Sequence, residues 1–266
     1  MIHEIQEGYV KTEMHQGVTT IEFFHPQGNS LPYKILDELA KSIHVAGHDD
    51  ECRVIVLRSA GEGVFCSGAS FDEMANIKTE AEGVHFFSGF ANVINAMRKC
   101  PRVIIVRVQG KCIGGGVGLV AACDYAIAVS GADVRLSELA IGIGPFVVGP
   151  VIERKINTAA FSQLAIDAAS WRSSDWAKRR NLYAELHPDI TSMDEAILKL
   201  SIFLTHTNPK AITTLKNDLW KGTEHWDEFL HERAAISSRL VLSEFSKNAI
   251  AAFKQKMDAR SKHPAN

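Results

Sequence analysis

The sequence predicts an α/β fold followed by an all-helical C-terminal region. Three observations carry that reading. A pair of alternating segments opens the chain, short β-branched runs then alternate with stretches of helical spacing, and beyond about Ala196 helical patterns follow one another without a clear strand between. Strand, helix and strand in alternation imply right-handed crossovers and a parallel sheet covered by helices. The division falls at residues 1–195 for the α/β part and 196–266 for the helical part.

Taken in order, residues 9–24, YVKTEMHQGVTTIEFF, alternate and turn at HQG, which is the pattern of a β-hairpin. Leu36, Leu39, Ala40 and Ile43 have helical spacing, with Gly47 as the expected stop ahead of His48. CRVIVLRSA (52–60) suits a buried strand and ends in a glycine-bearing loop, GEGVFCSGASFDEM. In residues 80–100, Phe86, Phe90, Val93, Ile94 and Met97 form one helical stripe. PRVIIVRVQG (101–110) returns as a strand, and a glycine cluster leads into the apolar segment VGLVAACDYAIAVS. The last third holds two long helical stretches, 195–220 and 226–256, suited to closing a site or forming a subunit interface.

Of 266 residues, 46% are apolar and 23% charged, and the net charge is −2. That composition is ordinary for a globular protein, and no basic field points to nucleic acid or an anionic membrane. No run approaches the roughly 20 apolar residues of a membrane-spanning helix. The N-terminal residues lack the pattern of a signal or transit peptide. Five cysteines (Cys52, Cys66, Cys100, Cys112, Cys123) show no CxxC spacing, which argues against a disulfide framework or zinc knuckle and for a reducing compartment. The expected location is the cytoplasm.

Four glycines in five positions, Gly114, Gly115, Gly116 and Gly118, need a reason, since glycine loses the most backbone entropy on folding. Gly116, Gly118 and Ala121 satisfy GxGxxA, but they follow at least two strand and helix units, and Asp124 is too near to serve as the ribose carboxylate, so a dinucleotide site is disfavoured. His44, His48 and Cys52 have metal-ligand spacing on a helix, yet the helix is expected to end among them. Two glycine-bearing loops remain, FCSGAS (65–70) and CIGGGVG (112–118). Peptide N–H groups from two such loops could converge as an oxyanion hole, or both loops could be tight turns that pack helices on strands. Glu138 lies in an apolar stretch before a glycine and proline bend, where burial would raise its pKa toward the range of proton transfer; an exposed carboxylate at a helix start is the alternative.

These motifs, in this order, resemble the crotonase superfamily, the enoyl-CoA hydratases and isomerases. VFCSGASFDEM is similar to the family's first oxyanion loop, commonly F-x-A-G-A-D-x-x-E-M. GKCIGGGVGLVAACDYAIA is similar to the second, commonly G-x-x-x-G-G-G-x-E-L-x-x-x-C-D-x-x-x-A, and LSELAIGIGPFVVGPVIERKI resembles the catalytic-carboxylate segment, commonly P-E-x-x-x-G-x-x-P. A weaker likeness joins HPQGNSLPYKILDEL to the family's N-terminal P-x-x-x-N-A-L, and together they span about residues 8–256. The resemblance implies a crotonase-like spiral of ββα turns, a C-terminal helical trimerisation region, and a homotrimer or homohexamer. It also implies an acyl-CoA thioester substrate in fatty-acid metabolism, with no metal, no redox cofactor, no nucleic acid and no membrane partner.

Carried over by residue, the resemblance places the oxyanion donors at the backbone N–H of Ala69 and Gly115 and the proton-moving carboxylate at Glu138, with Ser67, Gly68, Gly114, Gly118 and Phe146 around the substrate. Phe86 and Phe87 are further expected linings of the acyl pocket. AFKQKM resembles the family's A-F-x-E-K-R, which makes Lys256, then Lys254, the candidates for coenzyme A phosphates. Gly118 stands where two-glutamate hydratases carry their first glutamate, Ser70 where an aspartate is usual, and Asp72 where a basic residue often lies. A single carboxylate suits a proton shuttle, as in an enoyl-CoA isomerase or one-glutamate hydratase, and Gly118 is expected to enlarge the acyl pocket. A non-catalytic acyl-CoA-binding subunit and a thioester hydrolase or decarboxylase remain open as alternatives, because an oxyanion hole serves all of these.

Overall fold

A computed structural model describes residues 7–262 of the chain, apart from the side chains of 256–262. Strands β1 (Tyr9–His15) and β2 (Val18–Phe24) pair antiparallel. Gln16 and Gly17 turn between them at φ 49° and 81°, the positive values a two-residue hairpin of matching twist requires. Helix α1 (Tyr33–His48) follows, then β3 (Val54–Ser59), the short α2 (Phe71–Ala75) and α3 (Glu80–Lys99). Thr79 and Glu82 close a capping box at the start of α3, and Phe86, Phe90, Val93, Ile94 and Met97 are all buried along it.

Strand β4 (Val103–Val108) and the two-residue β5 (Cys112–Ile113) lead into α4 (Gly115–Ala122), and β6 (Tyr125–Val129) and the two-residue β7 (Val134–Arg135) follow. Next come α5 (Gly149–Ile166), kinked at Asn157, α6 (Ser174–Arg179) and β8 (Glu185–His187). The main sheet has the order β1-β2-β3-β4-β6-β8, parallel from β2 onward, and β5 and β7 form a small parallel ladder of their own. The predicted α/β class and the C-terminal helical region are both present.

Four helices complete the chain: α7 (Ile190–Thr205), α8 (Pro209–Leu219), α9 (Trp226–Val241) and α10 (Glu244–Lys262). The helical region starts at Ile190, a little before the expected boundary, and α7 lies on β3, β4, β6 and β8 as a cover of the sheet. Helix α9 packs along α3, which also packs on α1. At α8, Lys216 Nζ meets Asp124 Oδ2 at 2.7 Å and donates to the Arg102 carbonyl, so a buried ion pair ties this helix to the end of α4.

Helix α1 runs through Gly47 to His48, one residue past its expected stop. Gly47 serves close packing: a Cβ there would stand 2.8 Å from Cys100 Sγ. The His44 and His48 rings meet at 4.3 Å, tilted 40° to each other, while Cys52 is buried in the core, and among the described residues no group of three or more His, Cys, Asp or Glu is arranged to hold a metal. All five cysteines are free and buried. Among the described residues no helix is long and apolar enough to cross a membrane.

Candidate active site

The two glycine loops lie side by side because backbone hydrogen bonds zip them together. Ile113 N–H donates to the Cys66 carbonyl at 2.9 Å and Phe65 N–H to that of Lys111 at 3.1 Å. On its other side the first loop is tied to Leu31, whose N–H donates to the Gly68 carbonyl, while Ser70 N–H donates to the Leu31 carbonyl. Gly68 adopts φ +89°, and a Cβ on it would stand 2.9 Å from the Ile113 carbonyl oxygen and 3.4 Å from Gly115 N. Only glycine fits that conformation at that approach. Ser70, where the resemblance expects an aspartate, caps α2 by accepting from Glu73 N–H.

In the second loop, Gly114 takes φ +52° and ψ −117°, then α4 begins at Gly115. The turn puts Gly115, the first residue of a fully buried helix, on the cavity wall, where the helix dipole adds positive potential, while the Val117 and Gly118 N–H groups donate to the Gly114 carbonyl. Among the described residues no protein acceptor takes the N–H of Ala69 or of Gly115. Both residues line one cavity, so two donors are available to an oxygen bound there.

Glu138 reaches the same place through β7. Because β5 and β7 run parallel with Ile113 opposite Arg135, Gly114 and the segment after Arg135 emerge at the same end of the ladder. Glu138 Oε1 lies 2.9 Å from where a Cβ on Gly114 would stand. Its backbone carbonyl accepts from Ile141 and Ile143, which fixes a tight 3₁₀ turn over residues 139–141. The residue keeps a little accessible surface toward the cavity, but Oε2 is buried with no hydrogen-bond partner. Burial pushes the Glu138 carboxyl up to about 7, although the N–H groups of Glu138 and Ser137 and the Arg135 charge draw it down.

The cavity measures about 530 Å³, including the part open to solvent. Its walls are mostly apolar: Phe71 and Met74 from α2, Phe87 and Phe90 from α3, and Pro145 to Val148 before α5. Ser237 of α9 supplies a hydroxyl-bearing residue from the helical region. Glu138 is the one ionisable side chain on this wall among the described residues.

The family model for enoyl-CoA hydratase/isomerase matches residues 13–263. The chain belongs to the enoyl-CoA hydratase/isomerase family. Within the crotonase superfamily it is similar to the mitochondrial Delta(3,5)-Delta(2,4)-dienoyl-CoA isomerase of Pongo abelii, 25% identical over 234 residues that cover 80% of this chain and 69% of that protein. It is also similar to the mitochondrial methylglutaconyl-CoA hydratase of Mus musculus, 32% identical over 134 residues, half of this chain and 42% of the relative. Among solved structures, the enoyl-CoA hydratase from Bacillus halodurans superposes with a TM-score of 0.85 at 21% identity, covering 92% of this chain and 99% of its own. At that identity the likeness speaks for the fold, a crotonase fold.

Of the residues that the family resemblance singled out, the structure brings Ser67, Gly68, Ala69, Gly114, Gly115, Glu138, Phe87 and Phe146 to the cavity. Ser67 turns its hydroxyl to the Gln27 carbonyl at 3.1 Å. Gly118 is not on the wall. A Cβ there would stand 2.6 Å from Val148 Cγ1, so Val148 fills the space and the expected enlargement of the acyl pocket is absent. Phe86 faces the core, edge-on to Phe87 and Phe90, and does not line the cavity. Lys254 pairs with Asp72 at 2.6 Å, so the loop's aspartate and the tail's lysine neutralise each other. Lys256 lies in α10, and its side chain falls outside the described residues. Sequence reasoning missed Val148 and Ser237. The first could have been suspected from the apolar FVV run; the second, about 100 residues downstream of Glu138, carried no local signal.

Proposed function

We propose that the chain is an enoyl-CoA isomerase working with one carboxylate. The observation that carries this reading is Glu138: the one ionisable group on the cavity wall among the described residues, with Oε2 buried and unpartnered, beside two backbone N–H donors that no protein acceptor takes. The substrate is the coenzyme A thioester of a 3-enoyl acid. Its carbonyl oxygen accepts from Ala69 and Gly115, and Glu138 takes a proton from C2. The C–H electron pair moves into the C1–C2 bond as the oxygen becomes anionic. Protonation at C4 by the Glu138 carboxylic acid shifts the double bond to C2–C3 and restores both thioester and carboxylate. Atoms and charge balance with no metal or redox partner in the step.

A carboxyl held up to about 7 suits both halves of this cycle, since near neutrality it populates base and acid alike. Each oxyanion donor is worth about 3–4 kcal/mol in acyl chemistry. Val148 in the place beside Gly118 supports transfer over hydration, because an apolar wall there offers an attacking water no second carboxylate. Leu198, Ile202 and Phe203 on α7 and Leu215 and Leu219 on α8 are exposed apolar residues, which supports a homotrimer or homohexamer built through the helical region; sedimentation tests it.

The test is a panel of 3-enoyl-CoA and 2-enoyl-CoA thioesters, followed at the absorbance of the conjugated product. Conversion of 3-enoyl to 2-enoyl thioesters with little hydration of the latter is expected. Binding of the thioesters without turnover of any of them would instead favour a non-catalytic acyl-CoA-binding subunit.

A further inference from the structure

Beside the cavity lies a second groove of about 1250 Å³, including the part open to solvent, that the proton transfer does not use. Phe161, Ala165, Trp226 and Phe229 form its apolar walls. Its ionisable side chains have partners within the protein: Glu153 Oε1 accepts from Thr158 Oγ1 at 2.6 Å, Arg154 donates to the Leu219 and Lys221 carbonyls, the His225 ring lies 5.5 Å from that of Phe229, and the Arg233 guanidinium lies 4.5 Å over the Phe229 ring. The groove is therefore suited to hydrocarbon more than to an anion.

Pro145 and Phe146 line both the cavity and the groove. The Phe146 ring rests on Gly144, where a Cβ would stand 2.8 Å from Cε2, and Gly144 itself takes φ +73°. No side chain at 144 holds the ring in place. The cavity also has to accommodate the thioester and the reacting carbons, which leaves little of its 530 Å³ for a long chain.

We infer that Phe146 is a partition across one acyl channel, and that the second groove holds the distal methylenes of a long, uncharged acyl chain. The inference rests on the acyl-CoA reading above and adds the substrate class: thioesters whose chains extend past Phe146. Each methylene buried in the groove strengthens binding about fourfold.

The experiment measures binding of two saturated thioesters, hexanoyl-CoA and dodecanoyl-CoA, which have no double bond to move. Calorimetry is run on the whole chain as wild type, Phe146→Ala and Ala165→Trp, with the assembly state of each preparation measured alongside. Ala165→Trp, which fills the groove, is expected to lower the dodecanoyl-to-hexanoyl affinity ratio at least tenfold. Phe146→Ala, which opens the passage, is expected to raise it at least tenfold. A ratio that neither substitution moves, shifts of the same sign in both, or an Ala165→Trp variant that changes assembly without changing the ratio overturns the channel. If neither thioester binds the wild type, the acyl-CoA reading itself falls, which is a distinguishable result.

Discussion

Replacing Glu138 by Gln keeps the shape of the side chain and removes its charge, so stability and activity should move in opposite directions. Burial raises the carboxyl from its ordinary 4.5 to about 7. Between those values the unfolded chain has released the proton while the folded chain still holds it, so stability falls as pH rises. The contribution is fully present below about pH 4.5 and is lost as pH climbs through about 7. The gap is worth about 3 kcal/mol at pH 8. Glu138→Gln does not titrate there, and Oε2 has no hydrogen-bond partner to lose. The variant should melt about 5–10 °C above the wild type at pH 8 and close to it at pH 4.5. The assay is thermal or urea unfolding of both proteins at the two pH values; the difference between proteins cancels the other titrating groups. The same gap at both pH values, or a variant less stable at pH 8, would refute the burial argument.

Three further outcomes follow from the same geometry. The rate constant kcat/KM for a 3-enoyl thioester should rise with pH through about 7, because the carboxylate form abstracts the proton; a pH–rate profile checks this. Gly118→Glu should lower stability by about 1–3 kcal/mol or more, since its Cβ would overlap Val148 before the charge is even buried, and it should confer no hydration by itself; melting and a 2-enoyl-CoA hydration assay read both. Lys216→Ala leaves Asp124 buried without its cation, with side chains 3% and 9% exposed in the pair, and should cost about 3–5 kcal/mol in urea unfolding.

Local rules made much of the fold legible. HQG between two alternating runs specified the hairpin, and the Phe86 to Met97 stripe specified α3, because turn chemistry and helical periodicity act within a few residues. The site was legible in part for the same reason: the glycines and Glu138 stand in short motifs. The segment from 131 to 189 was harder, since β7 and β8 have only two and three residues and take their pairing from β5 and β6, far off in sequence. Gly118 shows the limit most sharply. Its missing side chain looked like free space, but whether a gap stays open depends on the neighbour, and Val148 lies 30 residues away. Gly47 likewise read as a helix stop, while its role is set by Cys100 on another element. The helical region's share of the site, Ser237, depends on how α9 lies along α3, which no local pattern encodes.

In the proposed mechanism Glu138 moves the proton of a bound 3-enoyl thioester. That step is tested most directly by the single-turnover rate of 3-hexenoyl-CoA conversion to 2-hexenoyl-CoA at saturating enzyme, wild type against Glu138→Gln. Conversion by the wild type is expected, with a rate about 10²–10⁴ lower in the variant and thioester affinity retained. Equal rates in the two proteins, or no conversion by a wild type that binds the thioester, would contradict it.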